Sequence, residues 1–202
     1  MIKKLNTKNW ILIGLGIFLF VIILWFVAAY NSLITLSESV DTAWAQVENQ
    51  YQRRADLIPN LLNTVQGAAD FESETQTQIA ELRTQAAAAK QAWNSAVTQT
   101  EQITAARQLD NVASAFRGLN INVENYPQLK ATQNFEAFQA QLEGTENRVA
   151  VERKRYNDIV RAYNIKIKRI PTNIVANMFG YEKETYFEIE EGTEKVPEVT
   201  FE

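Results

Sequence analysis

Residues Trp10 to Tyr30 (WILIGLGIFLFVIILWFVAAY) form a run of 21 residues without a charge or a side-chain amide. At 1.5 Å of rise per residue, a helix of that length covers roughly 31 Å, the thickness of a bilayer's hydrocarbon core. Trp10, Trp25 and Tyr30 stand where interfacial aromatics are favoured. The run predicts one membrane-spanning helix over 10–30 behind a short tail, 1–9, so the lipid bilayer is the first expected partner. A cleaved secretory signal is the alternative, since Val27-Ala28-Ala29 ends in small residues. The apolar region of such a signal runs about 7 to 15 residues, shorter than this one. A buried soluble helix would keep a polar face, and this run has none.

The 172 residues after Tyr30 suit one domain with a real core. They hold all 24 acidic residues and 17 of the 20 basic ones, so 17 minus 24 leaves a charge of −7. Nucleic acid is not an expected partner of so acidic a surface. The chain has no cysteine and no histidine. It therefore lacks the usual zinc ligands, a Ser-His-Asp triad and the Glu-x-x-His di-iron motif of helical bundles. Its seven glycines form no phosphate-binding loop. No cofactor, metal or catalytic residue is expected, and the chain reads as a non-enzyme.

Apolar positions keep a helical period. Leu33, Val40, Val47 and Leu61 recur at multiples of seven, with Trp44, Tyr51, Ile58 and Val65 offset by four, which predicts helix from the span to Gly67. Pro59 interrupts it, so a kink or restart is expected near Asp56 to Pro59. Phe71, Ile79, Leu82, Ala86 and Trp93 mark a second helix opened by Ser73. Thr98 and Glu101 make a capping box ahead of Ile103, Leu109, Val112 and Phe116, which predicts a break around Ser95 to Thr98 and a third helix that Gly118 ends; one long helix through both is the alternative. Pro127 opens a fourth, with Phe135, Phe138, Leu142, Val149, Tyr156, Tyr163, Ile167 and Ile170 on its seam, and Pro171 stops it. Ile174, Val175, Met178 and Phe179 form a short amphipathic turn. The expected fold is all-α: a transmembrane helix, then an elongated antiparallel four-helix bundle over 31–180, then an acidic extended or disordered tail over 181–202.

Two charges interrupt the seams. Arg54 continues the seven-residue series of the first helix, and Glu152 lies on the stripe of the fourth. In an up-down-up-down bundle their heights differ by about 9 Å, which a tilted pair of long side chains can span. They form either a buried pair or two residues turned outward among Arg53, Arg153, Lys154 and Arg155. A second candidate cluster is Arg53, Arg54, Asp56 and Asn60, which offers polar groups to a small ligand. A third is the ladder of Tyr156, Asn157, Tyr163 and Asn164, seven apart, either facing a partner or packed with the hydroxyls at the rim.

The blocks Tyr30-Asn31-x-Leu33, Trp44-Ala-Gln-Val-Glu-Asn-Gln-Tyr-Gln-Arg-Arg54, Asp56-Leu-Ile-Pro-Asn60, Glu124-Asn-Tyr-Pro127, Glu146-Asn147, Arg155-Tyr-Asn157, Tyr163-Asn164 and Pro171 occur in this order. With them the chain resembles the LemA family of bacterial membrane proteins over nearly its whole length. The charged run Glu152 to Arg155 departs from the family pattern. The resemblance implies an N-terminal anchor and an antiparallel four-helix bundle, and it implies no activity.

The expected function is a membrane-tethered interaction or scaffold module of the cell envelope, binding an envelope protein or a second copy. A ligand-sensing or transport-accessory domain holding a small polar molecule between helices is the alternative. Lys3, Lys4 and Lys8 precede the span, whereas the first basic residue after it is Arg53, beyond Glu38, Asp41 and Glu48. Positive flanks stay in the cytoplasm, so the helical domain is expected outside it.

Overall fold

The computed structural model describes residues 7–68, 73–118 and 133–187. Among them every regular element is a helix: α1 (Thr7–Ala68), α2 (Ser73–Ser95), α3 (Gln99–Gly118), α4 (Gln133–Lys168) and α5 (Thr172–Met178). The expected positions Phe71, Phe135 and Glu124 to Pro127 have no described side chains, and the tail beyond 187 also lies outside the described residues.

The apolar run belongs to α1, a helix of 62 residues that is long and apolar enough to cross a membrane. Its residues from Trp10 to Trp25 are exposed, and the buried stripe begins at Ala29 and continues through Leu33, Val40, Val47, Ile58, Leu61 and Val65. One helix thus carries both surfaces. The expected restart near Pro59 does not occur, because α1 continues through it. Proline removes one backbone donor, but Leu57, Ile58, Leu61 and Leu62 around it are all buried. Burial is worth roughly 1.5–3 kcal/mol for each such side chain, enough to hold the helix across the defect.

The break between α2 and α3 falls where the capping box placed it. The Glu101 carboxylate accepts from the backbone N–H of Val97 and of Thr98, each at 2.9 Å, and the Glu101 N–H donates to Thr98 Oγ1 at 3.3 Å. That reciprocal pattern satisfies helix-end donors that the broken chain would otherwise leave open. These hydrogen bonds hold the Glu101 carboxyl below its ordinary range. α3 runs to Gly118, the last described residue before 133, so the expected end of the helix there lies at the limit of the described residues.

The chain divides into two compact units. The unit Trp44–Arg155 is built from parts of α1 and α4 with all of α2 and α3. Its polar cross-links fix the directions. Going up α1, Gln52 accepts from Trp93, Asp56 from Lys90 and Gln66 from Arg83, so α2 descends as α1 ascends. Trp44 donates to Gln102 and Tyr51 to Asp110, so α3 ascends with α1. Asp110 meets Arg153 and Arg117 meets Glu146, so α4 descends against α3.

The other unit joins Met1–Ala43 to Tyr156–Glu202. It buries Ala29, Leu33 and Val40 of α1, Tyr156, Val160, Tyr163 and Ile167 of α4, and Val175 and Ala176 of α5. Ile170 was expected on the buried seam and is 79% exposed, because α4 already ends at Lys168 and Ile170 lies in the turn before Pro171. Gly180, at φ 73°, stops α5, and the Tyr181 N–H reaches back to the Ala176 carbonyl at 3.0 Å. A left-handed residue at this position costs glycine no steric penalty.

Candidate functional site

In the unit Trp44–Arg155, Arg54 is 4% exposed and needs partners. It finds two. Its guanidinium pairs closely with Asp110 of α3 and lies 3.7 Å from Glu146 of α4. Asp110 also accepts from Arg153 at 3.1 Å and from the Tyr51 hydroxyl at 3.0 Å, and Glu146 accepts from Arg117 at 2.7 Å. The result is an alternating chain, Arg153–Asp110–Arg54–Glu146–Arg117, crossing three helices. Burial pushes the Asp110 carboxyl above its ordinary range, with Arg54 and Arg153 opposing the shift. The Tyr51 phenol is pushed well above its ordinary value, first by burial and then by the Asp110 charge.

Of the two arrangements open for Arg54 and Glu152, a buried pair or two residues turned outward, neither is found, because Arg54 is buried against Asp110 and Glu146. Glu152 is half-buried, and its recorded ion pair is with Arg155 at 3.8 Å on its own helix. The reason is register. Glu146 is the α4 residue that meets Arg54, and Glu152 lies six residues further along the same helix, about 9 Å of rise away. Asp110, which sequence reasoning missed, did carry a signal: it lies seven residues after Ile103 and seven before Arg117, a charge on the seam of α3 just as Arg54 is on α1.

The grouping of Arg53, Arg54, Asp56 and Asn60 is also divided. Arg53, Asp56 and Asn60 are on the exposed side of α1. Asp56 accepts from Lys90 at 2.8 Å and from Gln52 at 3.3 Å, and the Lys90 hydrogen bond leads in lowering its pKa. A cavity of about 280 Å³ lies elsewhere, between α2 and α3, lined by Gln78, Glu81, Leu82, Gln85, Ala115 and Gly118.

The tyrosine–asparagine ladder does have an occupant. Tyr156, Tyr163 and Asn164 are buried, and the segment 181–187, which forms no helix or turn, is held beside them. Asn164 donates to the Glu184 carbonyl at 2.9 Å and accepts from the Glu184 N–H at 3.0 Å. Asn157 does the same with Phe187, at 2.9 and 2.8 Å. Tyr156 donates to the Thr185 carbonyl at 2.7 Å, and the Phe187 ring is fully buried. An asparagine amide carries one donor edge and one acceptor edge, so it pairs with a peptide group as a neighbouring strand would. Seven residues of helix rise about 10.5 Å, and three residues of extended chain cover about 10 Å. The spacing of the asparagines thus matches the pitch of the segment they hold. Burial, followed by the charge of Asp41, raises the Glu184 pKa. Burial also raises that of Tyr163, with Glu184 the next cause.

At the anchor, Trp10 and Trp25 are exposed, while the Tyr30 ring sits 4.5 Å from that of Phe179.

Known proteins align with most of this chain. It is 26% identical over 175 residues to Protein LemA of Metamycoplasma hominis, covering 87% of this chain and 74% of that protein. It is 26% identical over 175 residues to Magnetosome protein MamQ 1 of Paramagnetospirillum magneticum, covering 79% of this chain. It is 22% identical over 174 residues to Magnetosome protein MamQ of Magnetospirillum gryphiswaldense, covering 78% of this chain. The chain spans 64% of the length of each of these MamQ proteins. The model of the LemA family matches residues 43–201, a stretch that holds Arg54, Asp110, Glu146 and both clamping asparagines, and the chain belongs to that family.

Proposed function

We propose that this chain is a single-pass membrane protein of the bacterial cell envelope whose helical domain is a non-enzymatic interaction module, a scaffold for a second envelope protein or for another copy of itself. The observation that carries the reading is α1, in which an exposed apolar run and a buried core stripe are one unbroken helix. A domain built on its own anchor is held at a fixed point on the membrane, which suits recruitment and assembly.

The alternating helix directions within Trp44–Arg155 support an up-down-up-down four-helix bundle there. The docked segment supports a domain that takes in residues 181–187 as well as 31–180. Arg54, Asp110, Glu146, Arg117 and Arg153 neutralise one another inside that unit, which favours a structural role for them. Ligand sensing is the second reading, and the polar groove between α2 and α3 is what favours it. A small polar solute that raises the melting temperature saturably in the native chain, and not in Gln85→Leu, would select that reading.

The lysines ahead of the span favour a cytoplasmic N-terminus and an exported domain. A reporter active only in the cytoplasm, fused after Glu202, should be membrane-bound and silent. Strong activity would reverse the topology, and a soluble fusion would remove the anchor from the account.

A further inference from the structure

α5 leaves an apolar face without cover. Thr172, Val175 and Ala176 are buried, whereas Ile170, Ile174 and Met178, spaced by four, are 79%, 59% and 64% exposed. Residues four apart on a helix lie along one side, so Ile174 and Met178 share a face, and Ile170 leads into it through the preceding turn. Three large apolar side chains in a row, two of them on a seven-residue helix, are costly in water.

Phe179 shows where this face sits. Its ring centroid is 4.5 Å from that of Tyr30, the last residue of the apolar run, and 6.0 Å from that of Phe26. Phe26 lies four residues, about 6 Å of helix rise, inside the end of that run. The C-terminal end of α5 is thereby fixed at the level where α1 enters the bilayer. At the other end of α5, Lys168 and Arg169 are exposed, the position of cations that meet lipid phosphates.

We propose that α5 is a second membrane contact, an interfacial helix whose Ile170, Ile174 and Met178 side chains enter the headgroup boundary of the leaflet from which α1 emerges, while Lys168 and Arg169 engage anionic phospholipid headgroups. The occupant of the face is lipid, because the face continues from the membrane span itself and carries cations at its edge. The inference rests on residues 10–30 spanning the bilayer. It gives the domain two points of attachment, so that it cannot swivel freely about α1.

The test uses the full chain in vesicles, and the absence of native cysteine allows single-site labelling. Ile17→Cys, Ala162→Cys, Ile174→Cys and Met178→Cys each carry an environment-sensitive fluorophore, read against lipid-borne nitroxide and aqueous iodide quenchers. Ala162 is exposed on α4 and reports the aqueous level. The Ile17 label should be quenched by deep nitroxides. Labels at Ile174 and Met178 should be quenched by shallow nitroxides and protected from iodide several-fold relative to the Ala162 label. Iodide access at 174 and 178 equal to that at 162, with 17 still deep, overturns the inference and leaves the span standing. An iodide-accessible label at 17 overturns both. The protection at 174 should be stronger in phosphatidylglycerol than in phosphatidylcholine, and Lys168→Glu with Arg169→Glu should abolish the difference. Equal protection of the native pair in the two lipids overturns the headgroup assignment.

Discussion

Arg54 reaches its place with two carboxylates supplied by two other helices, and removing the arginine would leave both without their central cation. Breaking a buried pair from one side costs about 3–5 kcal/mol, far more than the pair contributes over an apolar replacement. Asp110 keeps Arg153 and Glu146 keeps Arg117, so Arg54→Met should lower the unfolding free energy of the full chain by less than that, about 1.5–3 kcal/mol in denaturant titration. Adding Asp110→Leu should restore much of the loss, whereas adding Glu152→Leu should restore none of it. Rescue by the Glu152 change would contradict the contacts described. The asparagines act through a different economy of polar groups. Asn164→Leu strands one donor and one acceptor of Glu184, a cost of about 1–3 kcal/mol for each buried group left unpaired. Hydrogen exchange over 181–187 should accelerate in that variant, with α2 and α3 unaffected.

Elements make the pH dependence of that segment predictable. Glu184 titrates above its ordinary value of 4.5 when docked, through burial and then the Asp41 charge. The docked state thus binds the proton more readily than the released one. Docking should strengthen as pH falls through the window just above 4.5 and weaken as pH rises through the docked value. Exchange protection over 181–187 should follow that course, and Glu184→Gln should flatten it. α1 offers a separate test, since Pro59 denies a hydrogen bond to the Ala55 carbonyl one turn earlier, beside buried apolar residues. Pro59→Ala should stabilise the chain by about 1–3 kcal/mol, read as a higher unfolding midpoint.

The helices were legible where local chemistry decided them. Thr98 and Glu101 mark the α2–α3 break because a capping box is made within four residues. Pro59 does not restart the helix, because packing by distant helices outweighs a local defect. The seven-residue series puts Arg54 on a buried seam, but its counterions Asp110 and Glu146 depend on register between helices, which no local pattern sets. For Asn157 and Asn164 the sequence allows an outside partner or packing within the domain, since nothing local shows that residues 184 and 187 return to them.

At the scale of the molecule, the chain presents an apolar helix long enough to cross a membrane and, among its described residues, an otherwise helical protein. Exposed apolar side chains remain away from the span, among them Val97 and Val151, at 90% and 62% exposure. Such positions are natural contact points for a scaffold, although single exposed valines are common on any surface. The most direct measurement is photo-crosslinking in intact cells from Val97, Val151 and Gln139, with the captured neighbours identified by mass spectrometry. The account predicts a discrete and recurring adduct with one envelope protein or with a second copy of the chain, lost when residues 10–30 are deleted. Recurring adducts with soluble cytoplasmic proteins that persist without the span, or no protein adduct from any exposed position, would contradict it.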